Sequence, residues 1–169
     1  MKFLQSSEGK LCIESCDEEE TRAIGAALGH HAIAGLLILL SGSLGMGKTR
    51  LAQGVGHALG IERIKSPTFI IMSEHDGSLP LLHVDLYRLD KEEEIDSLGI
   101  EEYLDDGYIA VVEWSEKWKY PPRDRRIDID MQPTPDGTRL LTFTAYGEES
   151  NRVLSKSEQE LKKITVKEK

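Results

Sequence analysis

Leu36-Leu37-Ile38-Leu39-Leu40-Ser41-Gly42-Ser43-Leu44-Gly45-Met46-Gly47-Lys48-Thr49 carries the clearest structural signature in the chain. Residues 42–49 fit G-x-x-x-x-G-K-[ST], the pattern of a phosphate-binding loop, at every fixed position. The apolar run Leu36 to Leu40 ahead of it reads as a buried parallel strand. Behind it, Leu51, Val55, Ala58 and Leu59 recur at helical spacing, and Gly60 marks a stop. Strand, glycine loop and helix is the arrangement that phosphate binding needs. Gly42, Gly45 and Gly47 let the backbone turn tightly and aim its N–H groups at an anion. The helix N-terminus adds a favourable dipole. Lys48 is expected to reach the β- and γ-phosphates, and the Thr49 hydroxyl to bind Mg²⁺. Nucleotide contacts are therefore expected along Gly42, Ser43, Leu44, Gly45, Met46, Gly47, Lys48, Thr49 and Arg50.

Outward from the loop, the chain reads as one domain. Its 169 residues, 39% hydrophobic, suffice for a real core. The run Ile33 to Leu40 is too short to span a membrane, and Met1-Lys2-Phe3-Leu4 is followed by polar residues rather than a signal-peptide apolar region. The expectation is a cytoplasmic protein with no membrane contact. Cys12 and Cys16 have no second cysteine pair or histidine cluster, so they read as reduced thiols rather than zinc ligands. Net charge is −9, from 21 basic and 30 acidic residues. That balance disfavours an unaided nucleic-acid binder and suits a soluble protein or a basic protein partner.

The rest of the chain alternates between the two periods. Leu11 to Glu14 reads as a first strand. Asp17 and Glu20 form a capping-box pattern opening a helix with Ile24, Leu28 and His31 on one face. Residues 67–72 are strand-like, and Leu81 to Tyr87 is a further strand after the turn His75-Asp76-Gly77-Ser78. Asp90 to Leu98 is helix-prone and acidic, with Gly99 as a stop. Ile109-Ala110-Val111-Val112 is a second buried strand. Ile127, Ile129 and Met131 alternate with Asp128 and Asp130, and Pro135-Asp136-Gly137 turns the chain into Leu141, Phe143 and Ala145 as a hairpin. Together these predict an α/β domain over 1–147. It is P-loop NTPase-like and three-layered, with a mostly parallel central sheet and a C-terminal β-hairpin. Residues 148–169 read as a charged tail, a solvated helix or frayed end, with Leu154 and Leu161 able to share a helix face.

A nucleotide hydrolase also needs an acid near Mg²⁺ at the end of a buried strand. Asp85 ends Leu81-Leu82-His83-Val84, and Glu113 ends Ile109-Ala110-Val111-Val112. Either can anchor Mg²⁺ and either can orient the attacking water, so Lys48, Asp85 and Glu113 are the candidate catalytic residues, with Thr49, Asp85 and Glu113 the candidate metal residues. Thr68, in Ser66-Pro67-Thr68, sits where a phosphate-sensing loop can lie. Trp114 can stack near the nucleotide, although core packing is its ordinary role. His83 alone reads as a structural histidine.

Taken together, Gly-x-Leu-Gly-x-Gly-Lys-Thr, Ser66-Pro67-Thr68-Phe69, His83-Val84-Asp85-Leu86-Tyr87-Arg88-Leu89 and Glu113-Trp114-Ser115 resemble the bacterial TsaE (YjeE) family in order and spacing, over roughly residues 10 to 146. The resemblance implies the small ATPase of tRNA threonylcarbamoyladenosine biosynthesis, using ATP and Mg²⁺. Its implied partners are a threonylcarbamoyl-transferase subunit and that subunit's paralogous scaffold, of TsaD and TsaB type, with tRNA reached through the complex. The implied task is to reset that complex between turnovers. It also implies Lys48 and Thr49 on phosphate and Mg²⁺, Thr68 in a switch-like loop, Asp85 and Glu113 as the acidic pair, and Trp114 near the nucleotide or partner surface. Ser43 stands where the family usually carries an acidic residue. The main alternative is a P-loop small-molecule kinase with Arg123, Arg125 and Arg126 as an arginine lid. A GTPase is disfavoured because the only asparagine is Asn151, outside any Asn-Lys-x-Asp motif. A nucleotide-binding regulatory module without turnover is a further reading.

Overall fold

The computed structural model describes residues 1–64 and 69–167. Its elements in chain order are β1 (Lys2–Ser7), β2 (Lys10–Ser15), α1 (Glu18–His31), β3 (Leu37–Gly42), α2 (Lys48–Ala58), β4 (Met72–His75), β5 (Leu81–Asp85), α3 (Glu92–Asp96), α4 (Ile100–Asp105), β6 (Ile109–Glu113), a 3₁₀ turn (Ser115–Lys117), β7 (Arg126–Pro133), β8 (Arg139–Tyr146) and α5 (Glu148–Lys167). The strands form one eight-stranded sheet in the order β1-β2-β8-β7-β3-β6-β5-β4.

The sheet is mixed, which corrects the expectation of a mostly parallel one. Strand β3 runs parallel to β6 and β7, and β5 runs parallel to β6. The other four neighbouring pairs are antiparallel. The physical reason is the connections. The crossover through α3 and α4 sets β6 parallel to β5, while the short turns at residues 8–9, 76–80 and 134–138 make β1–β2, β4–β5 and β7–β8 antiparallel.

Alternation along the central strands separates two cores. Ile38 and Leu40, Val111, and Ile127 and Ile129 face α1, α2 and α5. Leu37 and Leu39, Leu82 and Val84, and Ala110 and Val112 face Ile95 of α3, Ile100 of α4 and Trp118. Helices thus cover both faces of the parallel centre, and β3 and β6 are apolar from Leu37 to Leu40 and from Ile109 to Val112. On β7 the inward residues Ile127, Ile129 and Met131 alternate with Asp128 and Asp130, as the sequence pattern implied.

Helix α2, which carries the loop, is held against α1 at backbone contact. A Cβ on Gly54 would sit 2.1 Å from the Arg22 carbonyl oxygen, so only glycine permits this crossing. Asp17 caps α1 by accepting the Glu20 N–H at 2.8 Å, and the Glu20 carboxylate accepts the Cys16 N–H at 2.7 Å.

Residues 148–167 are not a solvated or frayed end. Val153, Leu154 and Leu161 are buried against the α1 side. His30 Nδ1 and His31 Nε2 each lie 2.8 Å from one oxygen of the Glu160 carboxylate, and Ser157 donates to the Ala27 carbonyl. The apolar stripe of α5 is narrow and partly made of serine, so its high charge masks it in the sequence. The acidic stretch 90–98 likewise differs from expectation: α3 stops at Asp96, and α4 starts after Gly99, whose φ of 68° suits glycine.

Candidate functional site

The phosphate-binding loop sits between the carboxyl end of β3 and the start of α2, where open α/β sheets place ligands. Gly42 is the last residue of β3. A Cβ there would lie 2.2 Å from the Met131 carbonyl oxygen, and its φ is 130°, so the strand cannot turn into the loop with any other residue. Gly47 is the N-cap of α2 at φ 95°, and Lys48 is the helix's first residue.

Lys48 is buried and folded back onto its own loop. Its Nζ donates to the Gly42 carbonyl at 2.6 Å and the Ser43 carbonyl at 2.8 Å. It also stands 4.1 Å over the Trp114 ring. Burial lowers its pKa from the ordinary lysine value, opposed by the nearby Glu116, Glu113 and Asp85 carboxylates. The ammonium is thus buried with two loop carbonyls as its acceptors, and an arriving phosphate would give it a direct anionic partner.

Thr49 donates its hydroxyl to Glu113 Oε1 at 2.7 Å. Glu113 ends β6 and is only 2% exposed. Asp85 ends β5, pairs with Glu113 in register, and is 4% exposed. Its Oδ1 accepts the Tyr87 N–H at 2.9 Å. Parallel register at the sheet centre therefore sets the two carboxylates side by side, level with the loop. Both side chains point to the α2 face, since Val84 and Val112 point to the other.

Trp114 follows Glu113 in the left-handed region, at φ 58°. That conformation turns its ring over Lys48 and against Tyr87, with ring centroids 4.9 Å apart. Leu44 on the loop, Tyr87, Phe69 and Ile70 are all more than half exposed. Phe69 lies against the Arg88 guanidinium at 4.8 Å. An apolar rim thus borders the polar site.

The structure brings together Gly42, Ser43, Gly45, Gly47, Lys48, Thr49, Glu113 and Trp114, with Asp85 beside Glu113. Met46 packs its side chain against the core. Leu44 is 80% exposed. Arg50 turns away, its Nε 2.8 Å from Glu18 Oε2. Thr68, with Lys65, Ser66 and Pro67, lies outside the described residues. The candidate arginine lid is largely engaged elsewhere. Arg125 pairs with Glu149 at 2.6 Å, and Arg126 pairs with Asp128 at 2.8 Å and donates to the Pro121 and Pro122 carbonyls.

Two residues beside the site, both within the His83–Leu89 motif, were not among the candidate site residues. Tyr87, which stacks on Trp114, looked like the end of a strand. His83 is wholly buried, with Nε2 3.8 Å from Glu113 Oε1. Its signal was its spacing two before Asp85, which places both on one strand face.

Among the described residues no helix is long and apolar enough to cross a membrane. The family model for "Threonylcarbamoyl adenosine biosynthesis protein TsaE" matches residues 15–141. The tRNA threonylcarbamoyladenosine biosynthesis protein TsaE of Bacillus subtilis is 40% identical over 131 residues, covering 76% of this chain and 82% of that protein. The protein of the same name from Nostoc sp. is 41% identical over 137 residues, covering 77% and 83%. The one from Streptomyces coelicolor is 42% identical over 137 residues, covering 75% and 91%. The crystal structure of Bacillus subtilis YdiB superposes with a TM-score of 0.75 at 32% identity, over 92% of this chain and 99% of that one. With the model spanning the loop and both strand-end carboxylates, the chain belongs to the TsaE family of tRNA threonylcarbamoyladenosine biosynthesis proteins.

Proposed function

We propose that this protein is the ATP-binding and ATP-hydrolysing subunit of the tRNA N6-threonylcarbamoyladenosine machinery, and that it resets the transferase complex between turnovers. The observation that carries the reading is the 2.7 Å hydrogen bond from Thr49 to the buried Glu113, directly behind the phosphate-binding loop. It joins the loop hydroxyl to a strand-end acid, the pairing a Mg²⁺-dependent phosphate site requires. On this reading residues 1–147 form a P-loop NTPase-like unit, and residues 148–169 are the charged C-terminal segment.

The residues present fit both ATP and Mg²⁺. The loop offers glycines where side chains would obstruct, a buried lysine whose acceptors are two loop carbonyls, and a helix N-terminus. The donor set Thr49, Asp85 and Glu113 is all oxygen, which suits a hard cation. Among the described residues no group of three or more His, Cys, Asp or Glu side chains gathers to hold a metal alone. That agrees with a cation shared between one or two carboxylates and phosphates. Bound Mg²⁺ would neutralise charge developing on the transferred phosphoryl group.

The chain's own side chains divide the work. Lys48 would exchange the Gly42 and Ser43 carbonyls for the phosphates of a bound nucleotide. Thr49 would offer its oxygen to the cation while its hydroxyl proton stays hydrogen-bonded to Glu113. Of Asp85 and Glu113, one anchors the cation and the other orients the attacking water. Trp114 covers Lys48 and limits water at the phosphates. Leu44, Phe69, Ile70 and Tyr87 form the exposed rim against which subunits of TsaD and TsaB type would close, in the cytoplasm, with tRNA carried by them.

The test is ATP hydrolysis under Mg²⁺ by the purified protein, alone and with the two partner subunits and tRNA. Slow hydrolysis that rises with the partners supports the proposal. Hydrolysis indifferent to them refutes the resetting role and returns the kinase reading.

A further inference from the structure

His83 is fully buried, and among the described residues neither ring nitrogen has a hydrogen-bond partner. A buried imidazole left unpaired is costly, and native proteins rarely tolerate one without cause. Its position limits the explanation. It faces the α2 side of the sheet with Glu113, one strand away, because it pairs in register with Val111, two residues before Glu113. Its Nε2 is 3.8 Å from Glu113 Oε1, beyond hydrogen-bond range but closable by less than an ångström. The same oxygen accepts the Thr49 hydroxyl. Among the described residues, that is the carboxylate's one hydrogen bond to a side chain.

We infer that His83 is a positioning residue for Glu113, a ring N–H held in reserve that closes onto the carboxylate when the site is loaded and fixes it opposite the Thr49 hydroxyl. With nucleotide bound, Glu113 would then be held from two sides, by Thr49 and by His83. Long contacts in ligand-free sites commonly tighten in this way on loading. No covalent step involves His83, and it touches neither nucleotide nor cation. The inference rests on the hydrolysis reading above, since it assigns Glu113 work that needs a fixed orientation.

The test compares His83→Leu, which fills similar volume without a donor, with His83→Gln, whose amide N–H reaches the Nε2 position. Three quantities are read: ATP affinity by calorimetry, kcat with partners, and Tm of the free protein. His83→Leu is expected to lower kcat about 10- to 100-fold, the usual cost of losing an orienting partner, with ATP affinity unchanged. It should also raise Tm by about 2–4 °C or more, because it removes a buried unsatisfied group. His83→Gln should recover most of the kcat.

A merely structural histidine gives the opposite pattern: Tm falls with kcat, and Gln does not restore it. That result overturns the inference, as does wild-type kcat in His83→Leu. A wild-type protein that hydrolyses no ATP even with its partners overturns the hydrolysis reading itself and this inference with it. An active wild type with an unaffected leucine variant overturns the inference alone.

Discussion

Replacing Thr49 with valine keeps the side chain's shape and deletes one proton donor. In the free protein that donor serves Glu113 at 2.7 Å, and Glu113 is 2% exposed, so water cannot take its place. A hydrogen bond to a charged group contributes about 1.5–3 kcal/mol net, and the orphaned carboxylate keeps its desolvation cost. At about 2–4 °C per kcal/mol for a chain of this size, Thr49→Val should lower Tm by about 3–12 °C without any nucleotide present. Thr49→Ser keeps the hydroxyl and should lose far less. Thr49→Val combined with Glu113→Leu should be more stable than Thr49→Val alone, because removing both partners leaves nothing unpaired. Differential scanning calorimetry of the four proteins decides it. A Thr49→Val protein melting within about 1 °C of wild type, as an ordinary surface change would, refutes the claim that this contact organises the site.

Four further outcomes are expected. Lys48→Ala should abolish measurable ATP binding by calorimetry; unchanged affinity would remove Lys48 from the phosphate site. Because burial lowers the Lys48 pKa in the folded protein, the unfolded chain binds more protons between that lowered value and 10.5. Stability from this group is therefore complete above 10.5 and lost as pH falls through the folded value. Lys48→Met should flatten that alkaline rise in denaturation midpoints relative to wild type. Asp85→Asn and Glu113→Gln should each leave the circular dichroism spectrum intact and slow partner-stimulated hydrolysis by about 10²–10⁴-fold, the range for catalytic acids and bases. Leu161→Ala should cost about 2–5 kcal/mol in chemical denaturation, a core value rather than a surface one, because Leu161 of α5 is 1% exposed.

What the sequence revealed divides by distance along the chain. The strand, loop and helix from Leu36 to Leu59 are encoded locally, by glycines and two apolar periods, and they stand in the structure as read. Asp85 and Glu113 could be placed because each ends a short apolar run. Their adjacency could not, since it depends on β5 and β6 pairing in parallel. The same limit explains the sheet's direction. Strand β1 is almost wholly exposed and carries no alternating apolar signal, so backbone pairing with β2 alone defines it. The docking of α5 rests on a few apolar residues and on two histidines meeting Glu160, 130 and 129 positions away. His83 could be seen as a residue but not as an orphan, because being unpaired is a property of its surroundings.

The pairing of β2 with β8 also has a bearing on synthesis. Lys10 to Ser15 leaves the ribosome long before its sheet neighbour, Arg139 to Thr144. Every segment that builds the phosphate site, from β3 to β6, lies between them. The site's frame can therefore consolidate from shorter-range contacts while the first hairpin waits, its apolar residues Leu11 and Ile13 uncovered, for the last strand and helix to arrive. That interval is when the nascent protein is most exposed to misassembly. Without β8 and α5, Leu11 and Ile13 would lose that cover altogether.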